Sequence, residues 1–537
     1  MFQNRQRQTW IVGLCLFSTL GLINACELEP NESADVGAAD ASTTGPDGMS
    51  GSSDAENSDA QDAQESLPPG VDERVLHKFG DYELQPGEEV LPCVQWSLNN
   101  DEPIYVNEVA LANGGTYHHS NWYVTPENYV PGKDGYFDCD SRGFEEVTAA
   151  IKGTALFAQS TQARSEIQKF KKGAVIKIPP NHKIIGYLHF LNISTRKIKT
   201  YGQMTLGLSH PKKVETVLAP FRLSYLELDI PPKAETRVSG SCNFKEVYED
   251  RTGKEFDMDL YYVLPHYHGL GNYFKLEYFG GPKDGEKIYE LEGFNAEANG
   301  KTFENPLDVS HAKGFTFTCG FRNPRDEKVG WGVGDQEMCV MLGFADSRLM
   351  IDASVQENRT KTMKNGRYHR SGPCEILPFP KNNRQSPPTK QEKEGEMYVP
   401  EGDAKGDVDP IPECKDRPGT ADPQKPPTLT NLEKGLFTVG CAYSACHSAD
   451  GQAGNLNFEA EDLHSELMKH EMVTPTDMPL VDPGKPENSW LYEVTSNCKP
   501  ESKVGPVSHM PRNSPTLLEP KVLAMIREWI ANGAKDN

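Results

Sequence analysis

The chain of 537 residues lacks the signatures of several common protein classes. It has no Gly-x-Ser-x-Gly nucleophile motif, no glycine-rich phosphate loop before a helix and no His-Glu-x-x-His zinc motif. No basic stripe with interleaved aromatic residues is present, and the formal net charge is -23 at pH 7. Such a chain has no electrostatic attraction for a phosphate backbone, so we expect no nucleic-acid partner.

The apolar run near the start of the chain is too short to cross a membrane. It extends from Trp10 to Leu22, whereas ~20 residues are needed to span the hydrocarbon core. Two arginines precede the run, and small residues lead directly from it to Cys26. This order resembles a bacterial lipoprotein signal over residues 1–26, which implies cleavage before Cys26 and lipid on its sulfur. The alternative is an ordinary secretory signal with an incidental cysteine. In both cases the mature protein leaves the cytoplasm.

Lysine and arginine are absent from residues 27–70, which carry eleven acidic residues among Ala, Ser, Gly and Pro. This segment cannot bury enough apolar surface to offset its ordering entropy, so we expect a disordered, self-repelling tether. It contributes about half of the net negative charge. The overall acidity therefore says little about the folded part of the chain.

The rest of the chain divides by its hydrophobic pattern. Short runs with alternating apolar and polar residues, punctuated by Gly- and Pro-rich turns, predict a mainly β fold over residues 71–377. The segments Lys183 to Asn192, Tyr273 to Phe279 and Phe315 to Phe321 show this alternation and are predicted strands. We expect two tandem antiparallel β-sandwiches of jelly-roll type, divided near Pro231-Pro232 into residues 71–230 and 231–377. Residues 378–428 are rich in Pro, Lys, Glu and Gly and read as a linker.

A small all-α domain is predicted for residues 429–537. The segment Leu432 to Val439 is expected to be helical, and Glu519 to Asn532 is amphipathic with Gly533 as its stop. The apolar residues of the second segment fall on one helical face. They are Val522, Met525, Ile526, Trp529 and Ile530.

Five histidines and one methionine in the predicted β region form a candidate set of metal ligands. They are His118, His119, His189, His266, His268 and Met338. Residues two apart on a strand share a face, so His266 and His268 can hold one ion. Adjacent residues point to opposite faces, so His118 and His119 can do so only with a local bend. A thioether favours Cu(I), which points to redox copper. The alternative for each pair is a surface histidine beside a hydrogen-bonded core histidine.

Together these residues resemble the copper type II, ascorbate-dependent monooxygenases, the family of dopamine β-monooxygenase and peptidylglycine monooxygenase. The order of adjacent histidines, a single histidine, His-x-His and Glu-Met-Cys is the same over roughly residues 75–375. The resemblance implies one electron-storing copper site at His118, His119 and His189. It implies a second, catalytic copper site at His266, His268 and Met338. It also implies three disulfides, Cys93–Cys139, Cys319–Cys339 and Cys242–Cys374.

Some positions depart from the family pattern. Where peptidylglycine enzymes hold the substrate carboxylate with Arg, Asn and Tyr, this chain has Leu264, Val340 and Leu342. A peptidylglycine substrate is therefore not expected, and these changes fit an apolar, neutral pocket better. Ser120 replaces a methionine that is not a ligand in the family.

The sequence near the C-terminus adds a second redox motif. Cys441 and Cys446 precede His447 in the form C-x4-C-H, a minor variant of the haem c attachment sequence. The flanking residues resemble cytochrome-c-like domains, which implies His447 and Met510 as axial ligands, with His509 as a rival for the distal position. The alternative is a Cys441–Cys446 disulfide without haem. With or without haem, Cys414 and Cys498 can pair. Zinc fits less well because a fourth ligand at finger spacing is missing.

The sequence thus predicts an exported, lipid-anchored protein of the bacterial cell envelope, on the periplasmic side or at the cell surface. Its expected activity is copper-dependent hydroxylation of a small organic substrate with dioxygen. Electrons would come from an ascorbate-like reductant or a redox protein and would be supplied through the fused haem domain. The alternatives are a non-catalytic copper- or ligand-binding lipoprotein with vestigial sites, and a pure electron-transfer lipoprotein.

Overall fold

A computed structural model of the chain provides the coordinates. It describes residues 67–160, 162–192, 197–292, 300–332, 336–380, 386–409, 414–442, 446–449, 451–503, 505–512, 514 and 516–537. The signal segment 1–26 and all but the last four residues of the acidic segment 27–70 lie outside the described residues. Within the described part the fold is mainly β.

The first half of the β region contains twelve described strands and one short helix, α1 (Glu146–Lys152). The strands are β1 (Glu73–Leu84), β2 (Glu89–Val90), β3 (Pro92–Ser97), β4 (Ile104–Asn113), β5 (Tyr117–Pro126), β6 (Gly135–Asp138), β7 (Thr154–Gln159), β8 (Ser165–Lys169), β9 (Ala174–Ile178), β10 (His182–Leu191), β11 (Ile198–Leu208) and β12 (Thr216–Val217). One sheet has the order β12-β9-β4-β11-β1, with β8 paired to β4, and the other has the order β6-β3-β10-β5-β7, with β2 paired to β10. These two sheets enclose a common apolar core that includes Trp122 and Phe190.

The second half contains twelve further strands and the helix α2 (Phe244–Thr252). The strands are β13 (Ala219–Tyr225), β14 (Ala234–Asn243), β15 (Met258–His266), β16 (Gly271–Phe279), β17 (Lys287–Glu292), β18 (Lys301–Asp308), β19 (Gly314–Asn323), β20 (Val340–Ser347), β21 (Leu349–Val355), β22 (Thr360–Lys364), β23 (Arg367–Pro373) and β24 (Glu375–Pro380). Its sheets have the orders β18-β15-β20-β13-β21-β24 and β17-β16-β19-β14-β23-β22. A core containing Phe221, Phe315 and Phe317 lies between them.

The pairing is antiparallel apart from three described pairs. Strands β9 and β12, β13 and β21, and β14 and β23 run parallel. The predicted strands at Lys183–Asn192, Tyr273–Phe279 and Phe315–Phe321 are confirmed as β10, β16 and β19, each longer or shifted by one or two residues. Burial alternates along β16, where one face of the strand meets a core, whereas most residues of β10 and β19 are buried.

The change from the first half to the second comes earlier than the predicted break at Pro231-Pro232. Strand β13 (Ala219–Tyr225) pairs with β20 and β21 of the second half. Strand β12 ends at Val217, so the crossing lies at Leu218. The prolines indicated a turn within the second half, and a turn signal alone does not identify the sheet that the chain joins next.

An apolar contact joins the two halves. Tyr262 and Leu264 of β15 and Phe344 of β20 belong to the core of the first half, although their strands belong to the second. The Phe344 ring centroid lies 5.2 Å from that of Phe170, and the Tyr262 ring centroid lies 6.1 Å from it. Thr302 supports this contact by donating a hydrogen bond to the Lys169 carbonyl at 2.5 Å.

Residues 378–428 pack partly on the first half instead of serving only as a linker. The short strand β25 (Ala404–Lys405) pairs with β1, and the helix α3 (Lys390–Glu394) forms the Lys177–Glu392 ion pair at 3.2 Å. The hydroxyl of Tyr398 donates to the Asn99 carbonyl at 2.9 Å. A Pro-rich composition argues against long helices and strands, but it does not exclude tertiary contacts of this kind.

Short helices dominate the described residues from position 429 onward. They are α4 (Leu429–Leu432), a π-helix (Glu433–Cys441), α5 (Leu463–Lys469), α6 (Trp490–Ser496) and α7 (Pro520–Ala531), with a hairpin of β26 (Glu501–Ser502) and β27 (Gly505–Pro506). The predicted terminal helix is confirmed as α7, and Met525, Ile526, Trp529 and Ile530 of its apolar face are buried in a shared core. Gly533 follows with a φ of 93°, which favours glycine at a helix end. No helix among the described residues is long and apolar enough to cross a membrane.

Four disulfides link eight of the ten described cysteines, in the expected pairs. They are Cys93–Cys139, Cys242–Cys374, Cys319–Cys339 and Cys414–Cys498. The first three are the pairs implied by the family resemblance. The fourth is the pair that can form whether or not haem is attached to Cys441 and Cys446. Cys441 and Cys446 are both free. The alternative disulfide between them is therefore not formed in this structure.

Removing the Phe344 ring is expected to destabilise the fold because it leaves a cavity where the two halves meet. Phe344→Ala should lower the free energy of unfolding by about 3–5 kcal/mol in a denaturant titration of the disulfide-intact protein. Met363→Ala is the control, because Met363 is 60% exposed and its loss should cost no more than about 0.5 kcal/mol. Equal effects of the two substitutions would contradict this account of the contact.

Candidate metal centre

Strands β5 and β10 bring three of the predicted histidines together. His119 lies directly opposite His189 in the antiparallel pair, whereas Phe190 pairs with Tyr117. The register therefore shifts at His118, which is the extra residue of a β-bulge. This is the local bend that two adjacent histidines need if both are to face one ion, and no pattern in the sequence specified it.

The ligand atoms of His118, His119 and His189 all lie within 4.8 Å of one another. The Nδ1 atoms of His118 and His119 are 3.2 Å apart. Two nitrogens bound to one ion at about 2.0–2.1 Å, with an angle near about 100° between them, lie at about that separation. The three side chains are thus arranged to hold one ion with little movement.

A carboxylate fixes the orientation of the third histidine. Oε1 of Glu89 lies 2.7 Å from Nε2 of His189. When Nε2 carries the proton for this hydrogen bond, Nδ1 keeps its lone pair for a metal. Glu89 is separated from His189 by 100 positions, so nothing local in the sequence pointed to its role.

The second group lies at the end of β15. His266 is the last residue of the strand, and the ring centroids of His266 and His268 are 5.3 Å apart. Nδ1 of His268 is 2.8 Å from the carbonyl oxygen of Gln336. Nε2 of His268 is buried and has no hydrogen-bond partner among the described residues. A buried imidazole nitrogen without a partner fits a metal ligand, because a bound ion would satisfy it.

The segment that carries Met338 lies against this group. The Glu337 carboxylate accepts hydrogen bonds from the backbone amides of His268 at 2.9 Å, Met338 at 3.3 Å and Leu270 at 2.6 Å. Burial raises the pKa of Glu337 to about 7, although these amide hydrogen bonds act in the opposite direction. Cys339, the next residue, is fixed by its disulfide to Cys319. The main chain of Met338 is thereby held close to that of His268.

The two groups adjoin each other and do not occupy widely separated gaps. The ring centroids of His119 and His266 are 5.5 Å apart. Five imidazoles, three from the first half and two from the second, therefore line one region. The family resemblance implied two copper sites, one in each half. The contact of Tyr262, Leu264 and Phe344 with the first half explains why the two groups of histidines lie so close.

Burial keeps four of these imidazoles in their neutral form. It lowers the pKa of His266 to about 3 and that of His268 to about 4. Burial, and to a lesser extent the neighbouring imidazoles, hold the pKa values of His118 and His119 well below the ordinary value. A neutral imidazole is the form that binds metals. These side chains are therefore ready to bind an ion at neutral pH.

The C-terminal motif meets this region. Burial raises the pKa of the Cys446 thiol to about 12, and the side chains of Gln162 and Glu89 lie close enough to act on it as well. The backbone amide of Gln162 donates a hydrogen bond to the His118 carbonyl oxygen at 2.5 Å. Cys446 thus lies beside the three-histidine group, a placement that the distance along the sequence could not reveal.

The same segment continues towards the second group. Nη2 of Arg325 donates to the Gly451 carbonyl at 3.0 Å. A Cβ added at Gly269, next to His268, would lie 3.3 Å from the Ala453 Cβ. Cys446 therefore lies near the first histidine group, and Gly451 and Ala453 lie near the second.

Around the motif, the His447 ring contacts Phe458 with a centroid separation of 5.3 Å. Cys441 and Met510 both pack against the helical core to which Phe458 belongs. His509 is instead engaged with the Ser514 carbonyl through Nε2 at 3.0 Å. His447 and Met510 therefore both contact this helical core, and the thiols of Cys441 and Cys446 are free.

No protein-family model and no curated protein matches the chain. The Cowpea mosaic virus top component is 8% identical with a TM-score of 0.24, over 54% of this chain and 95% of that chain. The PBSX exported protein XepA is 7% identical with a TM-score of 0.15, over 50% and 86% of the two chains. The infectious bursal disease virus Gx strain protein is 7% identical with a TM-score of 0.13, over 54% and 78%. TM-scores this low carry no argument about fold or function.

Loss of the Glu89 carboxylate should weaken metal binding, because His189 would lose the partner that fixes its ring. We expect Glu89→Ala to lower the Cu(II) affinity of the three-histidine group by about 10–100-fold, measured by competition with a chelator. Glu83→Ala removes another carboxylate, paired with Lys197 and 44% exposed, and should leave the affinity unchanged. Equal affinities of wild type and Glu89→Ala would show that Glu89 has no such role.

Proposed function

We propose that this chain is a copper-dependent monooxygenase related to the copper type II, ascorbate-dependent family. It would hydroxylate a C–H bond of a small organic substrate with dioxygen. The observation that carries the proposal is the convergence of His118, His119 and His189 within 4.8 Å, with His266 beside them. Their strands would belong to two tandem antiparallel β-sandwiches, as in the jelly-roll architecture expected from the resemblance.

Hydroxylation by dioxygen has a fixed stoichiometry. One oxygen atom enters the C–H bond, the other leaves as water, and two electrons and two protons are consumed. Copper, when bound, supplies the one-electron redox chemistry and the activation of dioxygen that amino-acid side chains cannot provide. His118, His119 and His189 would supply one set of ligands, and His266, His268 and Met338 would supply the other.

The position of Cys446 supports electron supply through the C-terminal helices. We propose that these helices form a cytochrome-c-like domain, with haem c on Cys441 and Cys446 and axial ligands His447 and Met510. Haem bound there supplies a one-electron carrier. Cys446 lies beside Gln162 and Glu89, which contact His118 and His189. An ascorbate-like reductant or a redox protein would be the external donor.

An apolar, neutral substrate fits the residues at the junction. Leu264 and Leu342 are cross-strand neighbours and both pack against the core of the first half. They stand where peptidylglycine enzymes of the resembled family hold a carboxylate. Without a cation at those positions, a carboxylate group would lose its hydration without gaining a partner.

The disulfides support an exported protein. Four disulfides form and persist in oxidising compartments outside the cytoplasm. We propose that Cys26 carries the lipid that anchors the mature chain in the bacterial cell envelope.

Copper stoichiometry and oxygen uptake test the proposal. Full-length protein titrated with copper should bind two ions, and ascorbate-reduced protein should consume oxygen at an electrode. His189→Ala and His268→Ala should each bind one ion and lose at least about 10-fold of the oxygen uptake. His369→Ala, outside the two groups, should behave as wild type. Copper binding without oxygen uptake, or fewer than two ions in wild type, would favour a non-catalytic copper- or ligand-binding lipoprotein.

Covalent haem is a separate prediction. Protein produced with a cytochrome c maturation system should give a haem c spectrum that survives denaturation, because thioether bonds hold the group. Cys441→Ser with Cys446→Ser should abolish it, and Met510→Leu should keep the covalent haem but lose the absorption due to the thioether ligand. A haem-free wild type with a Cys441–Cys446 disulfide, detected by mass spectrometry, would refute the haem assignment and leave the copper proposal standing.

A further inference from the structure

We propose that Glu337 is a positioning residue that joins the His-x-His turn to the Met338 segment and so assembles the second metal group. This inference rests on the proposed function, because it concerns the ligand set His266, His268 and Met338. It goes beyond that function by assigning a role to a carboxylate that is not itself a ligand.

The geometry is that of a carboxylate clamp. Oε1 of Glu337 accepts from the Leu270 amide at 2.6 Å. Oε2 accepts from the His268 amide at 2.9 Å and from the Met338 amide at 3.3 Å. One oxygen atom therefore bridges the main chains of two proposed ligands that are 70 positions apart. The Glu337 residue is 1% exposed, so water cannot replace these bonds.

A neighbouring hydrogen bond orients the His268 ring, and the clamp itself depends on both carboxylate oxygens of Glu337. Nδ1 of His268 is 2.8 Å from the Gln336 carbonyl oxygen, which fixes the ring. Nε2 of the same ring has no hydrogen-bond partner in the part of the chain that the structure describes. Replacing one carboxylate oxygen by an amide group would set an N–H donor against a backbone N–H donor. Glu337→Gln should therefore open the clamp with almost no change in side-chain volume.

Glu166 provides a matched control. It is a buried carboxyl in the first half that accepts hydrogen bonds from the Ser160 amide at 2.5 Å and the Ser160 hydroxyl at 2.8 Å. Burial raises the pKa of Glu166 to about 7, as it does for Glu337. Glu166→Gln thus repeats the chemical change in a similar environment without touching the His-x-His turn.

The first measurement is amide hydrogen exchange in the metal-free, full-length protein. Glu337→Gln should accelerate exchange at His268, Leu270 and Met338 by at least 10-fold, and leave the peptide containing His118 and His119 unchanged. Glu166→Gln should leave the 268–270 and 338 amides as in wild type. Unchanged exchange at those amides, or equal acceleration over the whole chain, would overturn the inference.

The second measurement is X-ray absorption of the Cu(I)-loaded protein. Glu337→Gln should lose the thioether sulfur contribution, as Met338→Leu does, and bind the second copper at least 10-fold more weakly while the first copper stays bound. Glu337→Asp, which keeps the charge, should restore part of the affinity. A retained sulfur contribution in Glu337→Gln would overturn the role assigned to Glu337 but would leave the proposed function standing. Absence of a second copper from wild type would overturn the proposed function as well.

Discussion

The arrangement of the histidines depends on the apolar contact between the two halves of the β region. Tyr262 and Leu264 lie on β15, the strand that ends at His266, and Phe344 lies on the neighbouring β20. Their side chains belong to the core of the first half, where Phe344 meets Phe170 at 5.2 Å. Because β15 is held against the first half in this way, its last residue is placed beside His119.

Burial also sets the protonation of four of these side chains. It lowers the pKa values of His118, His119, His266 and His268, so their imidazoles are neutral at neutral pH. Hydrogen bonds then orient two of the rings. The Glu89 carboxylate bonds to His189, and the Gln336 carbonyl bonds to His268. The resulting group of nitrogen donors has rings that are oriented before any ion arrives, which reduces the entropy lost when an ion binds.

The C-terminal segment adds a constraint that neither half of the β region provides. Its residues Cys446, Gly451 and Ala453 lie beside Gln162, Arg325 and Gly269. A flexible tether would raise only the average concentration of a redox domain near the histidines. Packed contacts of this kind would instead hold Cys446 near the histidines, as the proposed electron supply requires.

The sequence by itself determined the mainly β character, the terminal helix α7 and the disulfide pairs, because alternation, helical periodicity and cysteine order are local or family-level signals. It also singled out the histidines as candidates. Only the tertiary structure decided the bulge at His118, the earlier crossing at Leu218, the roles of Glu89 and Glu337, and the 5.5 Å approach of His119 to His266. Each of these features depends on contacts between residues that are up to about 150 positions apart in the sequence. The pattern of residues within a single strand does not specify such contacts.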